Sequence, residues 1–166
     1  MAAAKTIVLL PGEHFAGDER FRVRTLLGSC VSIVLWQPQR LIGAMSHFVL
    51  AGAPAGQARA LNGRYGDEAL ALMLADLGGL GVMPADCLAK IFGGGAMFEA
   101  GPRQRLPDVG RQNGEAARTL LQRHGIPIVS ESLFGDGHRQ IIFSIRTGEV
   151  WMRHVRQSTA NARSAA

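Results

Sequence analysis

Two apolar runs joined by a short polar turn constrain this chain more than any other feature. Val31-Ser32-Ile33-Val34-Leu35-Trp36 is followed by Gln37-Pro38-Gln39-Arg40 and then by Leu41-Ile42-Gly43-Ala44-Met45-Ser46. Proline presets φ and polar residues flank it, so the segment reads as a β-hairpin. A hairpin folds a residue near the start of one strand back towards the far end of its partner. Cys30 opens the first run and His47, 17 positions later, closes the second. A thiol and an imidazole held side by side are the minimum equipment for nucleophilic attack on a carbonyl.

The remainder of the chain reads as the frame for that hairpin. Its 166 residues suit one domain with a sizeable core, and 47% hydrophobic against 19% charged residues marks it as globular. Thr6–Leu10 and Phe21–Leu27 read as strands joined by a polar loop over Gly12–Asp18. Ala51–Gly63 is a loop. Asp67–Leu77 is expected to be a helix buried against a sheet, being apolar nearly all round after Glu68 and stopped by Gly78. Leu88–Phe92 is a short buried strand ending in Gly93-Gly94-Gly95. A second helix is expected from an Asn113 N-cap to His124, stopped by Gly125 and Pro127. Ile126–Val129, Gln140–Ile145 and Glu149–Arg153 complete the strands, the last two joined at Thr147-Gly148. The expected fold is α+β, a strand-rich single domain over residues 1–156 with two main helices, followed by a frayed polar tail over 157–166.

Composition excludes several classes. Two cysteines, Cys30 and Cys87, are too few for a disulfide framework. The N-terminal apolar stretch is ended by Pro11-Gly12 before any cleavage pattern, which argues against a signal peptide. The run from Ala69 to Met83 is broken by Asp76 and Gly78-Gly79, so membrane insertion is not expected and the chain reads as cytoplasmic. The net charge of +5 points to an acidic partner. Nucleic acid is disfavoured, because the arginines scatter and only one tyrosine is available for stacking. Arg20, Arg22, Arg24 and the arginines at 103–111 are expected around the mouth of the cleft.

Among the chemistry-bearing residues Cys30 leads. Gly28-Ser29 before it permits a tight turn that turns the sulfur and nearby backbone N–H groups towards a cleft, where those groups form an oxyanion hole. An adjacent imidazole is expected to lower the thiol pKa by ion pairing. Cys87, beside Ala85-Asp86, reads as a small buried hydrophobe. His14, His124, His138 and His154 lie in loops, at a helix end or near late strands. A zinc site from Cys30, His47 and one more ligand lacks the close paired spacing of structural zinc sites. The triple glycine lacks the lysine and hydroxyl ending of a phosphate loop.

Several blocks together resemble the bacterial chemoreceptor glutamine deamidases, the CheD family. They are Leu27-Gly28-Ser29-Cys30-Val31, Ile42-Gly43-Ala44-Met45-Ser46-His47-Phe48, Tyr65-Gly66-Asp67-Glu68-Ala69-Leu70, Ala89-Lys90-Ile91-Phe92-Gly93-Gly94-Gly95-Ala96-Met97-Phe98 and Gly125-Ile126-Pro127-Ile128-Val129. The resemblance implies a layered α/β/β sandwich and hydrolysis of receptor glutamine amides without metal or cofactor. It assigns Cys30 as nucleophile, His47 as base and Thr25 as third member. Some family members carry the threonine one residue farther from the cysteine, where this chain has Arg24. The implied partners are the cytoplasmic helices of methyl-accepting chemotaxis receptors and the chemotaxis phosphatase CheC. Some relatives also hydrolyse glutamyl methyl esters. The competing expectation is a binding regulator of CheC or receptors whose cysteine is idle.

Overall fold

The computed structural model describes residues 2–56, 59–97 and 108–156, so Arg103, Arg105 and the expected tail lie outside the described residues. In chain order the elements are β1 (Lys5–Val8), β2 (His14–Asp18), β3 (Phe21–Leu27), β4 (Val31–Gln37), β5 (Ile42–Ser46), α1 (Gly66–Gly79), β6 (Leu88–Gly93), α2 (Val109–Arg123), β7 (Ile128–Leu133), β8 (His138–Ser144) and β9 (Val150–Val155). A 3₁₀ turn at Pro84–Asp86 leads into β6. The strands form a five-stranded sheet, β2-β5-β4-β6-β7, and a four-stranded sheet, β1-β3-β8-β9. Pairing is antiparallel except for β6 with β7 and β1 with β3.

The hairpin explains the layering. Every residue of β4 but Trp36 is buried, so its two faces must both be covered. Val31, Ile33 and Leu35 pack with Ala44 and Phe48 against Leu70, Met73 and Leu77 of α1 and Ala117 and Leu121 of α2. On the opposite face Val34 and Met45 pack with Phe92 against Val23, Leu27, Ile141 and Phe143 of the four-stranded sheet. The order is therefore helices, five-stranded sheet, four-stranded sheet, an α/β/β sandwich within one α+β domain. The four-stranded sheet has one solvated face, and β3 and β8 accordingly alternate. Val23, Thr25 and Leu27 point inward while Arg22, Arg24 and Leu26 are exposed.

Three sequence expectations change. The polar loop over Gly12–Asp18 contains the edge strand β2, in register with β5 from His14↔Ser46 to Asp18↔Ile42. Its residues carry no apolar alternation; the free edge of β5 supplies the hydrogen bonds that order it. Helix α2 begins at Val109, where the Asp108 side chain caps it by accepting the Arg111 N–H at 3.0 Å. Asn113 lies inside the helix and is not its cap. The arginines expected at a cleft mouth are dispersed: Arg22 and Arg24 project from the outer face of β3, and Arg20 pairs with Asp18 at 2.8 Å.

The end of β6 passes against the start of β4. Gly93 has φ +116°, and a Cβ there would run into the Cys30 carbonyl. The following Gly94 N–H donates to that carbonyl at 3.0 Å. Gly93→Ala should therefore cost at least about 2 kcal/mol, because strain and overlap both oppose it. Gly78→Ala, in an open position of α1, should stabilise by about 0.5–1 kcal/mol. Urea midpoints of the two variants, moving in opposite directions, check this contrast.

Candidate functional site

The ladder between β4 and β5 continues past its regular part. Val34 faces Met45, and an isolated bridge in the same register joins Val31 to Phe48. That register sets His47 opposite Ser32 and Val49 opposite Cys30. Cys30 and His47 are thus diagonal neighbours on one face of the sheet, a relation that brings side chains within reach of each other. The face is the one turned to the four-stranded sheet: Cys30 packs against the core between the sheets. His47 meets Thr25, which projects inward from β3, with Thr25 Oγ1 and His47 Nδ1 2.7 Å apart. The structure brings Thr25, Cys30 and His47 to this one end of the sandwich. Arg24, the alternative family position, points outward.

The hydrogen bonds define the ring. Thr25 Oγ1 donates to the Leu9 carbonyl at 2.7 Å. A hydroxyl has one proton, and a carbonyl can only accept, so Thr25 accepts from His47 Nδ1–H. The neutral imidazole is then protonated on Nδ1, and Nε2 carries the lone pair. Thr25 and His47 are only 4% and 3% exposed, so neither hydrogen bond competes with bulk water.

Burial also sets the charge state. It pushes the His47 imidazole down to about 4, against a smaller upward pull from Glu13. It pushes the half-buried Cys30 thiol up, against its own backbone N–H and the Arg64 charge. The expected resting thiolate–imidazolium pair is therefore corrected: both groups are neutral at pH 7, since desolvation outweighs the charges that would favour ionisation.

The backbone around Cys30 is tied from two sides. Gly94 N–H holds the Cys30 carbonyl, and Gly95 N–H holds that of Gly28 at 2.9 Å. Arg139 fixes the glycine segment in turn, donating to the Gly93 and Phe134 carbonyls at 3.3 and 2.6 Å. On the helix side Asn113 Nδ2 donates to the Ser29 and Val49 carbonyls. Sequence reasoning missed this residue, whose polar side chain at a helix start reads as a local cap.

The remaining candidates lie elsewhere. Cys87 packs in the core beneath the helices, on the other face of the central sheet, and burial pushes its thiol up to about 11. His14 bonds Asp76, His124 donates to Leu120 O, and His154 donates to Asp136 O. Among the described residues no three His, Cys, Asp or Glu side chains converge as metal ligands. No described helix is long and apolar enough to cross a membrane.

The depressed His47 pKa makes stability pH-dependent. Between about 6.5 and about 4 the unfolded chain takes up a proton that the native site refuses. Stability contributed by this site is complete above that window and falls as pH drops through it, by on the order of 3 kcal/mol. Urea midpoints from pH 7 to 4 should decline more steeply for the wild type than for His47→Gln. Equal slopes would show that the ring is not held neutral.

Three comparisons bear on kinship. The family model for CheD chemotactic sensory transduction matches residues 50–154. A probable chemoreceptor glutamine deamidase CheD of Albidiferax ferrireducens is 55% identical over 150 residues, covering 90% of this chain and 87% of its own. One from Pseudomonas fluorescens is 43% identical over 150 residues, covering 89% and 84%, and one from Chromobacterium violaceum is 36% identical over 156 residues, covering 94% and 81%. The solved Bacillus licheniformis hypothetical protein YfiH is 17% identical and covers 72% of this chain and 50% of its own, at a TM-score of 0.41, too slight a likeness to bear on the fold. With a family model spanning more than half its length and full-length relatives well above 30% identity, this chain belongs to the CheD family.

Proposed function

We propose that this chain hydrolyses the side-chain amides of glutamines on chemoreceptors, acting in the cytoplasm, converting them to glutamate residues and releasing ammonia, with Cys30 as nucleophile. The names of its relatives support the reaction. The observation that carries the residue assignment is the Thr25–His47 bond at 2.7 Å, because it leaves Nε2 unprotonated at neutral pH on a ring that shares its sheet face with Cys30. An unprotonated base and a neutral thiol are what proton transfer at pH 7 requires.

The chemistry begins with the thiol proton moving to His47 Nε2 as sulfur attacks the amide carbon. The S–C bond forms, and the carbonyl π electrons move to oxygen, where backbone N–H groups near Cys30 stabilise the anion. The His47 imidazolium returns its proton to the amide nitrogen, the C–N bond breaks, and ammonia leaves behind a thioester. His47 then takes a proton from water as water attacks. The C–S bond breaks as the His47 imidazolium returns its proton to sulfur, and the carboxylic acid departs and loses its proton to solvent. Burial raises the cost of charging either partner in the resting site, so the ion pair arises only along the reaction path. Glutamyl methyl esters present the same carbonyl with methanol as the leaving group, and lie within the same chemistry.

Ammonia release and the amide-to-acid mass shift of a receptor cytoplasmic fragment test the assignment. Cys30→Ala should abolish both, while Cys87→Ala should retain activity in proportion to folded protein. Thr25→Val, which cannot accept the Nδ1 proton, should lose about ten- to a hundredfold in kcat. Deamidation by Cys30→Ala would overturn the mechanism, and binding without turnover by the wild type would favour the regulator reading.

A further inference from the structure

We infer that Asn113 is a positioning residue for Cys30, its single side-chain amide completing the β4–β5 ladder at the position where the cysteine leaves the sheet. This rests on the reading of Cys30 as nucleophile. The regular rungs stop at Val31↔Phe48, where each N–H bonds the other residue's carbonyl at 3.0–3.1 Å. Beyond them, Val49 and Leu50 turn their N–H groups to the Arg64 carbonyl. Just past that rung, the carbonyls of Ser29 and Val49 are acceptors left without a strand partner. Asn113 Nδ2 donates to both, at 3.0 and 2.8 Å. One planar amide thus bridges the residue before Cys30 and the residue opposite it.

Two acceptors at hydrogen-bond distance fix which end of the amide is nitrogen. The side chain is 1% exposed and its Oδ1 has no hydrogen-bond partner. An isolated buried acceptor is unfavourable, and the two bonds donated by Nδ2 are what offset it. Ser32 Oγ is likewise buried without a partner, and it lies directly across from His47 in the ladder register. The described residues with such orphaned side-chain atoms therefore both flank the Cys30–His47 pair.

The helix is shaped to deliver this amide. Gly110 sits against the Gly94 and Gly95 carbonyls, which a Cβ would meet at 2.6 and 2.5 Å. Gly110, Asn113, Gly114 and Ala117 recur at the spacing of one helix face, and all four are buried. A face of small residues lets α2 approach the triple glycine closely enough for a short side chain to span to Ser29 and Val49. The two restraints on Cys30 thus come from different elements: the Gly94 N–H, after β6, on its own carbonyl, and Asn113 of α2 on its neighbours.

Positioning and mere stability predict different results, and Cys87 separates them within one sample. In Asn113→Ala and Asn113→Asp, kcat for receptor deamidation should fall about ten- to a hundredfold with KM within about twofold. Iodoacetamide alkylation of Cys30, followed by peptide mass spectrometry, should rise severalfold as the thiol leaves its buried place. Alkylation of Cys87, 2% exposed in the other core, should not change. Cys30 and Cys87 accelerating together would assign Asn113 to global stability and overturn the proposal. An unchanged kcat would overturn it, as would a lost kcat with Cys30 alkylation unmoved. Cys30→Ala run alongside keeps the two readings apart: if it still deamidates, the nucleophile assignment fails, while the alkylation comparison still reports whether Asn113 places Cys30.

Discussion

The Thr25 hydroxyl has one proton and two partners, and much of the site follows from how that proton is spent. Donated to the Leu9 carbonyl, it obliges the oxygen to accept from His47 Nδ1. Thr25 belongs to the four-stranded sheet and His47 follows a strand of the five-stranded sheet. The bond therefore fixes one layer against the other as well as the imidazole tautomer. A residue able only to donate, or only to fill space, would keep the layers packed and lose the tautomer.

Burial makes the arrangement work at neutral pH and also limits it. A solvated imidazole and thiol side by side would titrate near their ordinary values, and a fraction would sit as an ion pair. In the seam between two sheets both charged forms are penalised, so the resting site is a neutral acid and a neutral base. In the proposed mechanism, charge separation is deferred to the step in which backbone dipoles can stabilise the new anion. The same seam explains the extensive backbone restraint around Cys30. Under the proposed function a half-buried thiol that attacks a carbonyl gains little from mobility, and Gly94, Gly95, Arg139 and Asn113 each remove some.

What the sequence disclosed was what periodicity can carry. The alternation in β3 and the largely apolar run of β4 gave their boundaries closely, and the turn at Pro38 gave the hairpin that sets Cys30 and His47 diagonal. Strand β2 was illegible because an edge strand is ordered by the bonds its neighbour offers rather than by its own pattern. The start of α2 was hidden by Gly110 and Gly114, poor helix formers that serve close approach. Asn113 was misread for a related reason: its partners are 84 and 64 residues away, and a polar side chain near a helix start looks local. Thr25 drew notice through family resemblance alone, since its role depends on a carbonyl contributed by Leu9.

The central claim is that His47 rests as the neutral Nδ1–H tautomer. Nitrogen-15 NMR of the ring measures this directly. At pH 7 the shifts should show a protonated Nδ1 and an unprotonated Nε2, with conversion to imidazolium centred near pH 4. A ring protonated on Nε2, or one titrating at or above the ordinary 6.5, would contradict the account.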